Sequence, residues 1–349
     1  MIPIQSKQSC YLCKRNDLKS ITANLSFGTD IIQCRHCGFV QTEYVSSQAI
    51  DNYYGTYYRN DHNQATMDMF KRESAKQARC QLDYIDEIIP GATFENALEI
   101  GAGAGEMAKA LGQRLIKVDV TELDPKYRKL LEADDAIKVI DDDKLNTLDF
   151  FNYYDLVVLS HVLEHMADPI HLIDMLSYVL KHDGHMFIEI PNEVEMVKQT
   201  GFQGKGHLYF FTIETFKTMI AIQGSFDILE IRTFDRSIDD FIASDYALPS
   251  DYDNQENPNG TSIRTMLVNR RPKTRLDGER LEPPHAKELL DDYSHRILKM
   301  HHQILKLGEH IQNLDIKYQA SISEISAKYK SSLSEISEFF RKVNQSIGT

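Results

Sequence analysis

The sequence predicts an α/β fold with a cysteine-rich module ahead of it and a long helix behind it, and three observations predict this. A β-like run, Ala97-Leu98-Glu99-Ile100, passes through Gly101-Ala102-Gly103-Ala104-Gly105 into a helix-like run from Glu106 to Leu111. Two C-x-x-C pairs, Cys10/Cys13 and Cys34/Cys37, stand twenty residues apart. Apolar residues recur in alternating steps of three and four from Leu290 to Tyr318.

At 349 residues, 42% of them hydrophobic, the chain has room for about two domains and an extension, and for a sizeable core. No run approaches the about eighteen apolar residues of a membrane span, and Met1-Ile2-Pro3-Ile4-Gln5-Ser6-Lys7 lacks the apolar stretch of a signal peptide. A cytoplasmic protein is therefore expected. A formal net charge of −13 argues against nucleic acid as the main partner, because affinity for a phosphate backbone rests on Lys and Arg.

Residues 1–60 divide into the cysteine module and a tyrosine-dense connector. The knuckle spacing brings the thiolates of Cys10, Cys13, Cys34 and Cys37 to one tetrahedral ion, and zinc is the expected metal; a redox dithiol needs only one pair. Four thiolates leave no open coordination position, so the role is structural. Metal ligation would supply much of the folding energy of so short a segment. Tyr53-Tyr54-Gly55-Thr56-Tyr57-Tyr58 reads either as a packing hinge or as the lining of a sugar or nucleotide site, since phenol rings both stack and hydrogen-bond. Periodicity predicts a helix from Met67 to Ile89, ended by Pro90-Gly91.

The glycine turn lets backbone approach a ligand with no Cβ in the way, and the helix behind it offers unpaired N–H groups. A dinucleotide fingerprint wants glycine at position 106, where Glu106 stands. The run Leu115 to Asp124 forms the next strand and delivers Asp124, a carboxylate able to accept from both hydroxyls of a ribose and equally suited to cap the helix that Pro125 opens. Asp142 and Asp143, after the third strand, are candidates for an adenine amino group. Ser160, at the tip of the strand in Tyr154–Pro169, either touches the ligand or caps the next helix; His161 and His165 beside it read as packing residues.

An acidic residue followed by G-x-G-x-G resembles motif I of the Rossmann-like S-adenosylmethionine (SAM) methyltransferases. Tyr154–Pro169 resembles the fourth-strand region of their small-molecule members, and Gly184–Asn192 their fifth strand ending in Pro-Asn. The likeness continues through His207-Leu208-Tyr209-Phe210-Phe211-Thr212 and spans roughly Glu95 to Arg271. It implies a seven-stranded Rossmann-like SAM methyltransferase domain over residues 61–271, with SAM over Gly101, Gly103 and Gly105, its ribose on Asp124, and its methionine amine oriented by Glu99. Ribbon, tyrosines and domain together resemble the zinc-binding sugar methyltransferases of deoxysugar and surface-glycan pathways, which implies a nucleotide-sugar or glycan acceptor.

In the C-methylating branch of that family a Glu-His pair precedes an aromatic run. Here His207 takes the histidine position, Gly206 stands where the glutamate would be, and a long helix replaces a second Rossmann-like lobe. O-methylation with His207 as general base fits at least as well. Two other readings stay open: an RNA-base methyltransferase, set back by the acidic charge, and a non-catalytic scaffold working through its arm.

Residues 272–284 read as a polar linker and 285–349 as a helical coiled-coil arm. The alternating spacing is that of a coiled coil, and the near-repeat of Ser321–Ser326 in Ser332–Ser337, eleven residues on, relaxes its supercoil. The stripe predicts a homo-oligomer; a helical hairpin folded back on the enzyme is the alternative.

Overall fold

The computed structural model describes residues 9–46, 49–50, 53, 64–114, 116–141, 144–145, 150–201, 203–239 and 256–271. The chain divides into two compact units, Met1–Asp277 and Gly278–Thr349, and every described residue belongs to the first. The predicted linker and coiled-coil arm, Asp142, Asp143 and most of the tyrosine connector lie outside the described residues.

In the N-terminal module, β1 (Leu18–Asn24) turns at Gly28 into β2 (Thr29–Cys34), which pairs antiparallel with the short β3 (Val40–Thr42). A long helix, α1 (Gln64–Ile88), leads into the seven-stranded sheet and ends close to the predicted Pro90-Gly91 stop. Then follow β4 (Asn96–Ile100), α2 (Glu106–Gly112), β5 (Lys117–Thr121), α3 (Pro125–Glu132), β6 (Ile137–Val139) and β7 (Tyr154–Ser160). Beyond a 3₁₀ turn at Leu163–His165 come α4 (Pro169–Val179), β8 (Leu180–Pro191) and α5 (Val194–Thr200). The remainder is β9 (Tyr209–Phe210), α6 (Ile213–Gln223), β10 (Phe226–Ser237) and β11 (Gly260–Asn269).

Seven of these strands form one sheet in the order β10-β11-β8-β7-β4-β5-β6. The five from β8 to β6 are parallel, and β11 inserts antiparallel between β8 and β10. This is the Rossmann-like α/β architecture that the sequence predicts. Because successive strand residues face opposite sides, the central strands feed two cores. Leu98, Ile100, Val157, Leu159, Ile188 and Ile190 face α4 and α6, while Ala97, Val118, Val120, Leu156, Val158 and Phe187 face α1 and α2. Burial on both faces explains the near-continuous apolar runs, each leucine, isoleucine, valine or phenylalanine among them contributing about 1.5–3 kcal/mol when fully buried.

The helices start where local chemistry says they should. Asp124 and Asp168 each accept a hydrogen bond from a first-turn N–H, each followed by proline at the first helical position, and Thr212 forms a capping box with Thr215. The four-stranded sheet has the order β1-β2-β3-β9, so the part of the chain beyond β8 lends a strand to the module: Val40 pairs with Phe210 and Gln41 with Tyr209. Tyr11 adds to this joint, its hydroxyl donating to Asp168 at 2.5 Å and accepting from the Ile170 N–H at 2.9 Å, with its ring 4.8 Å from that of Tyr209.

Candidate functional site

The glycine turn lies at the carboxyl end of β4. Gly105 has φ 75° as the N-cap of α2, and a Cβ there would stand 2.5 Å from a methyl of Leu131; Gly103 has φ 52°. Neither position suits another residue. The Gly103 N–H donates to Glu122 Oε2 at 2.7 Å, and the other oxygen of the same carboxylate accepts from the Asp124 N–H at 2.6 Å. Glu122, the first residue after β5, is therefore the carboxylate laid across the turn, while Asp124 Oδ1 is engaged at 2.8 Å with the Lys126 N–H as the α3 cap. The sequence reading names Asp124 and not Glu122, which stands two residues before it and directly after the end of β5 at Thr121.

Beneath the turn, Glu99 is buried with Oε2 lacking any hydrogen-bond partner. Burial, reinforced by the charges of Glu122 and Glu106, pushes its pKa up to about 8. Burial also raises Glu122. The charges of Glu99 and Glu122 act on one another, only partly offset at Glu99 by Lys109, and this excess of negative charge suits a cationic ligand. Ser160, at the tip of β7, accepts from Gln81 Nε2 at 2.8 Å, which ties it to α1.

Past Ser160 the chain makes a sharp bend at His161, φ 55°, into the 3₁₀ turn. The bend places the His161 ring between two buried carboxylates, Nε2 3.2 Å from Glu189 and Nδ1 3.4 Å from Glu164. Burial opposes its charge, but the two carboxylates prevail and lift its pKa to about 10. Glu189 is held in turn by the fully buried Arg264, Nε to Oε2 2.5 Å, and by Gln77, while Arg264 also reaches Asp235. Neither oxygen of Glu164 has a hydrogen-bond partner, yet against the cost of burial its histidine neighbours bring it down to about 2.

His165 and His207 face each other with ring centres 4.7 Å apart. Burial, with the charge of His207, lowers His165 to about 4, so its ring is neutral at pH 7; Nδ1 lies 3.2 Å from the Gly206 carbonyl and carries the proton. His207 is raised: burial works against its charge, but Glu193, bonded to Nδ1, and Glu164 outweigh it. The second Glu193 oxygen accepts from the Gly204 N–H at 3.0 Å. A Cβ on Gly204 would stand 1.9 Å from His207 Cε1, so that glycine makes the room for the ring. The carboxylate that Gly206 cannot supply thus comes from Glu193, two residues beyond Pro191 and on a different element, where only its place after the Pro-Asn of the fifth strand could have flagged it.

Among the described residues, two groups offer metal-type ligand atoms within 4.8 Å of one another: Cys10, Cys13, Cys34 and Cys37, and Glu164, His165 and His207. In the first, Sγ atoms of Cys10 and Cys37 are 3.5 Å apart, as are those of Cys13 and Cys34. A tetrahedral ion with metal–sulfur bonds of about 2.3 Å sets its thiolates about 3.8 Å apart. The two knuckles have the same backbone. Lys14 N–H returns to the Cys10 carbonyl and Gly38 N–H to that of Cys34, both at 2.9 Å, with φ 60° and 77° at the returning residues.

Residues 65–224 match the family Methyltransf_23, a methyltransferase domain. Over 119 residues the chain is 30% identical to the ubiquinone biosynthesis O-methyltransferase of Nitrosomonas europaea, covering 32% of this chain and 50% of that protein. It is also 30% identical over 122 residues to the protein of that name from Marinobacter nauticus, with the same coverage. The chain spans about half the length of the curated relatives it matches. Its fold is also similar to an SAM-dependent methyltransferase of Mesorhizobium loti, at 16% identity and a TM-score of 0.42 over 54% of this chain and 97% of that one. No helix among the described residues is long and apolar enough to cross a membrane. With its glycine turn, the buried Glu99 and a mostly parallel sheet, the chain carries a methyltransferase domain over residues 65–224.

Proposed function

We propose that the protein transfers a methyl group from SAM to a hydroxyl of a small acceptor of the sugar type, a nucleotide sugar or glycan, with His207 as general base. The carrying observation is the buried pair in which Glu193 holds His207 through Nδ1, leaving Nε2 as the proton-accepting atom. SAM, when bound, supplies a methyl group on a cationic sulfonium. Glu99 and Glu122 supply the negative surroundings that a sulfonium and an ammonium require, and the buried, unpartnered Glu99 Oε2 is an acceptor for the ammonium. Glu122 or Asp124 accepts from the ribose. His207 orients the acceptor hydroxyl and takes its proton as the oxygen attacks; one base and one aligned oxygen suffice. The relatives' printed names, O-methyltransferases, favour oxygen over carbon, and the ribbon beside the domain supports the sugar class. Labelled SAM offered with nucleotide sugars, glycan fragments and phenolic quinol precursors tests the assignment, and labelling of the phenols alone would replace the sugar reading.

Two measurements test the SAM half. Losing a charge-assisted hydrogen-bond pair costs about 1.5–3 kcal/mol, so Glu122→Ala should weaken SAM binding at least about tenfold by calorimetry. If Asp124→Ala shows that loss instead, the ribose belongs on Asp124. Glu99 should register in proton release. Between 4.5 and about 8 the folded state keeps a proton on Glu99 that the unfolded chain has given up, so stability falls as pH rises across that window. A cation bound beside it expels the proton. Calorimetry at pH 7 in buffers of different ionisation enthalpy should show release on SAM binding, absent in Glu99→Gln.

Cys10, Cys13, Cys34 and Cys37 hold one structural zinc in this reading. The spacing from Leu290 to Tyr318 supports self-association through the arm. Light scattering should give an oligomer for the full chain and a smaller species after truncation at Pro284; a monomer at micromolar concentration favours the hairpin.

A further inference from the structure

The segment carrying His207 makes most of its described polar contacts with the cysteine module. The His207 carbonyl accepts from Thr42 Oγ1 at 2.9 Å and from Asn24 Nδ2 at 3.2 Å, and Asn24 Nδ2 also donates to Thr42 Oγ1 at 2.7 Å. All three residues are buried. The Thr42 N–H donates to the Leu208 carbonyl at 2.7 Å, while the Leu208 N–H donates to the Glu164 carbonyl at 2.7 Å. On the other side of the histidine, the Gly206 N–H donates to Ser26 Oγ at 2.9 Å, and Gln203 exchanges hydrogen bonds with the Leu25 N–H and the Ala23 carbonyl.

These contacts surround a stretch with little structure of its own. Residues 203–207 belong to no helix or strand, and glycines stand at 204 and 206, the latter with φ 78°. The ring end of His207 is held by Glu193 and its carbonyl end by the module, so the two anchors together fix where Nε2 points. Asn24 can serve because its own Oδ1 is occupied by the N–H groups of Ser26 and Phe27, which locks the amide and aims Nδ2 at the histidine.

We propose that Asn24 and Thr42 of the cysteine module are positioning residues for the His207 base, which makes the module a wall of the acceptor site. This rests on the reading of His207 as the base. The groups that set the charge of its ring are Glu193, beyond β8, together with Glu164, His165 and His161 on and beside the 3₁₀ turn. If the carbonyl anchor is cut, the ring loosens from Glu193, and its titration moves toward that of an ordinary histidine.

The test uses the full chain labelled with ¹³C-histidine, the His207 signal being the one lost in His207→Gln. Thr42→Val removes the hydroxyl and keeps the shape. It should lower the His207 midpoint toward 6.5 and reduce conversion of SAM to S-adenosylhomocysteine on the acceptor panel by about 10–100-fold, as a displacement near 1 Å would. Thr42→Ser should restore both, and SAM affinity should stay constant in both variants. Should Thr42→Val fail to fold, Ser26→Ala, which cuts the bond to Gly206, is expected to move the midpoint in the same direction. A wild-type His207 titration in the folded variant overturns the proposal. Wild-type turnover in His207→Gln overturns the base assignment, a separate outcome.

Discussion

Replacing His207 with alanine is expected to slow methyl transfer by about 10²–10⁴-fold, the size of a general-base contribution, with SAM affinity unchanged. The two halves separate because the proposed SAM contacts lie on the glycine turn, Glu99 and Glu122, while His207 belongs to a loop held by Glu193 and the module. The pH profile carries the same signature. Since Glu193 raises His207, the neutral ring that accepts a proton becomes available only above the ordinary histidine range, and turnover should rise with pH through that raised value. Glu193→Gln should shift this limb to lower pH and reduce the plateau. Gly204→Ala, whose methyl would collide with the ring, should resemble the His207 variant in turnover and wild type in SAM binding. Equal turnover in His207→Ala would make the histidine structural.

The second large effect is on the metal. Purified protein should contain one equivalent of zinc, and Cys34→Ser should lose it, with the fold of the module, because structural zinc contributes about 10–16 kcal/mol to such segments. Loss of the module would also carry away the anchors of the His207 carbonyl. Elemental analysis and thermal melting read the outcome directly. Unchanged zinc content in Cys34→Ser would refute the four-cysteine site.

What was legible in the chain was what is local. Glycines at 101, 103 and 105 between an apolar strand and a helix, or cysteines three apart, carry their geometry within a few residues, and the α/β class follows from strand-like runs that alternate with helix-like ones. Asp124 was legible as a cap for the same reason. Its neighbour Glu122 was not, because which carboxylate crosses the turn depends on where β5 stops, and a shift of two residues changes the answer. The partners of His207 were hidden by distance along the chain: Glu193 is 14 residues away, Thr42 165 and Asn24 183. A buried ionic cluster such as Arg264, Glu189 and His161 leaves no periodic trace, since each member looks like a surface residue until the others surround it.

The strand that β9 adds beside β3 governs where the chain can be cut. A fragment beginning at α1 would retain Tyr209 and Phe210 with one edge bare of its hydrogen-bonding neighbour, and would uncover Tyr209 and Phe211 where Tyr11 and Phe39 now pack on them. An open edge flanked by exposed aromatics is a template for strand addition by another copy. Recombinant work on the catalytic half alone should therefore meet insolubility, and the smallest tractable piece of this protein starts ahead of Cys10.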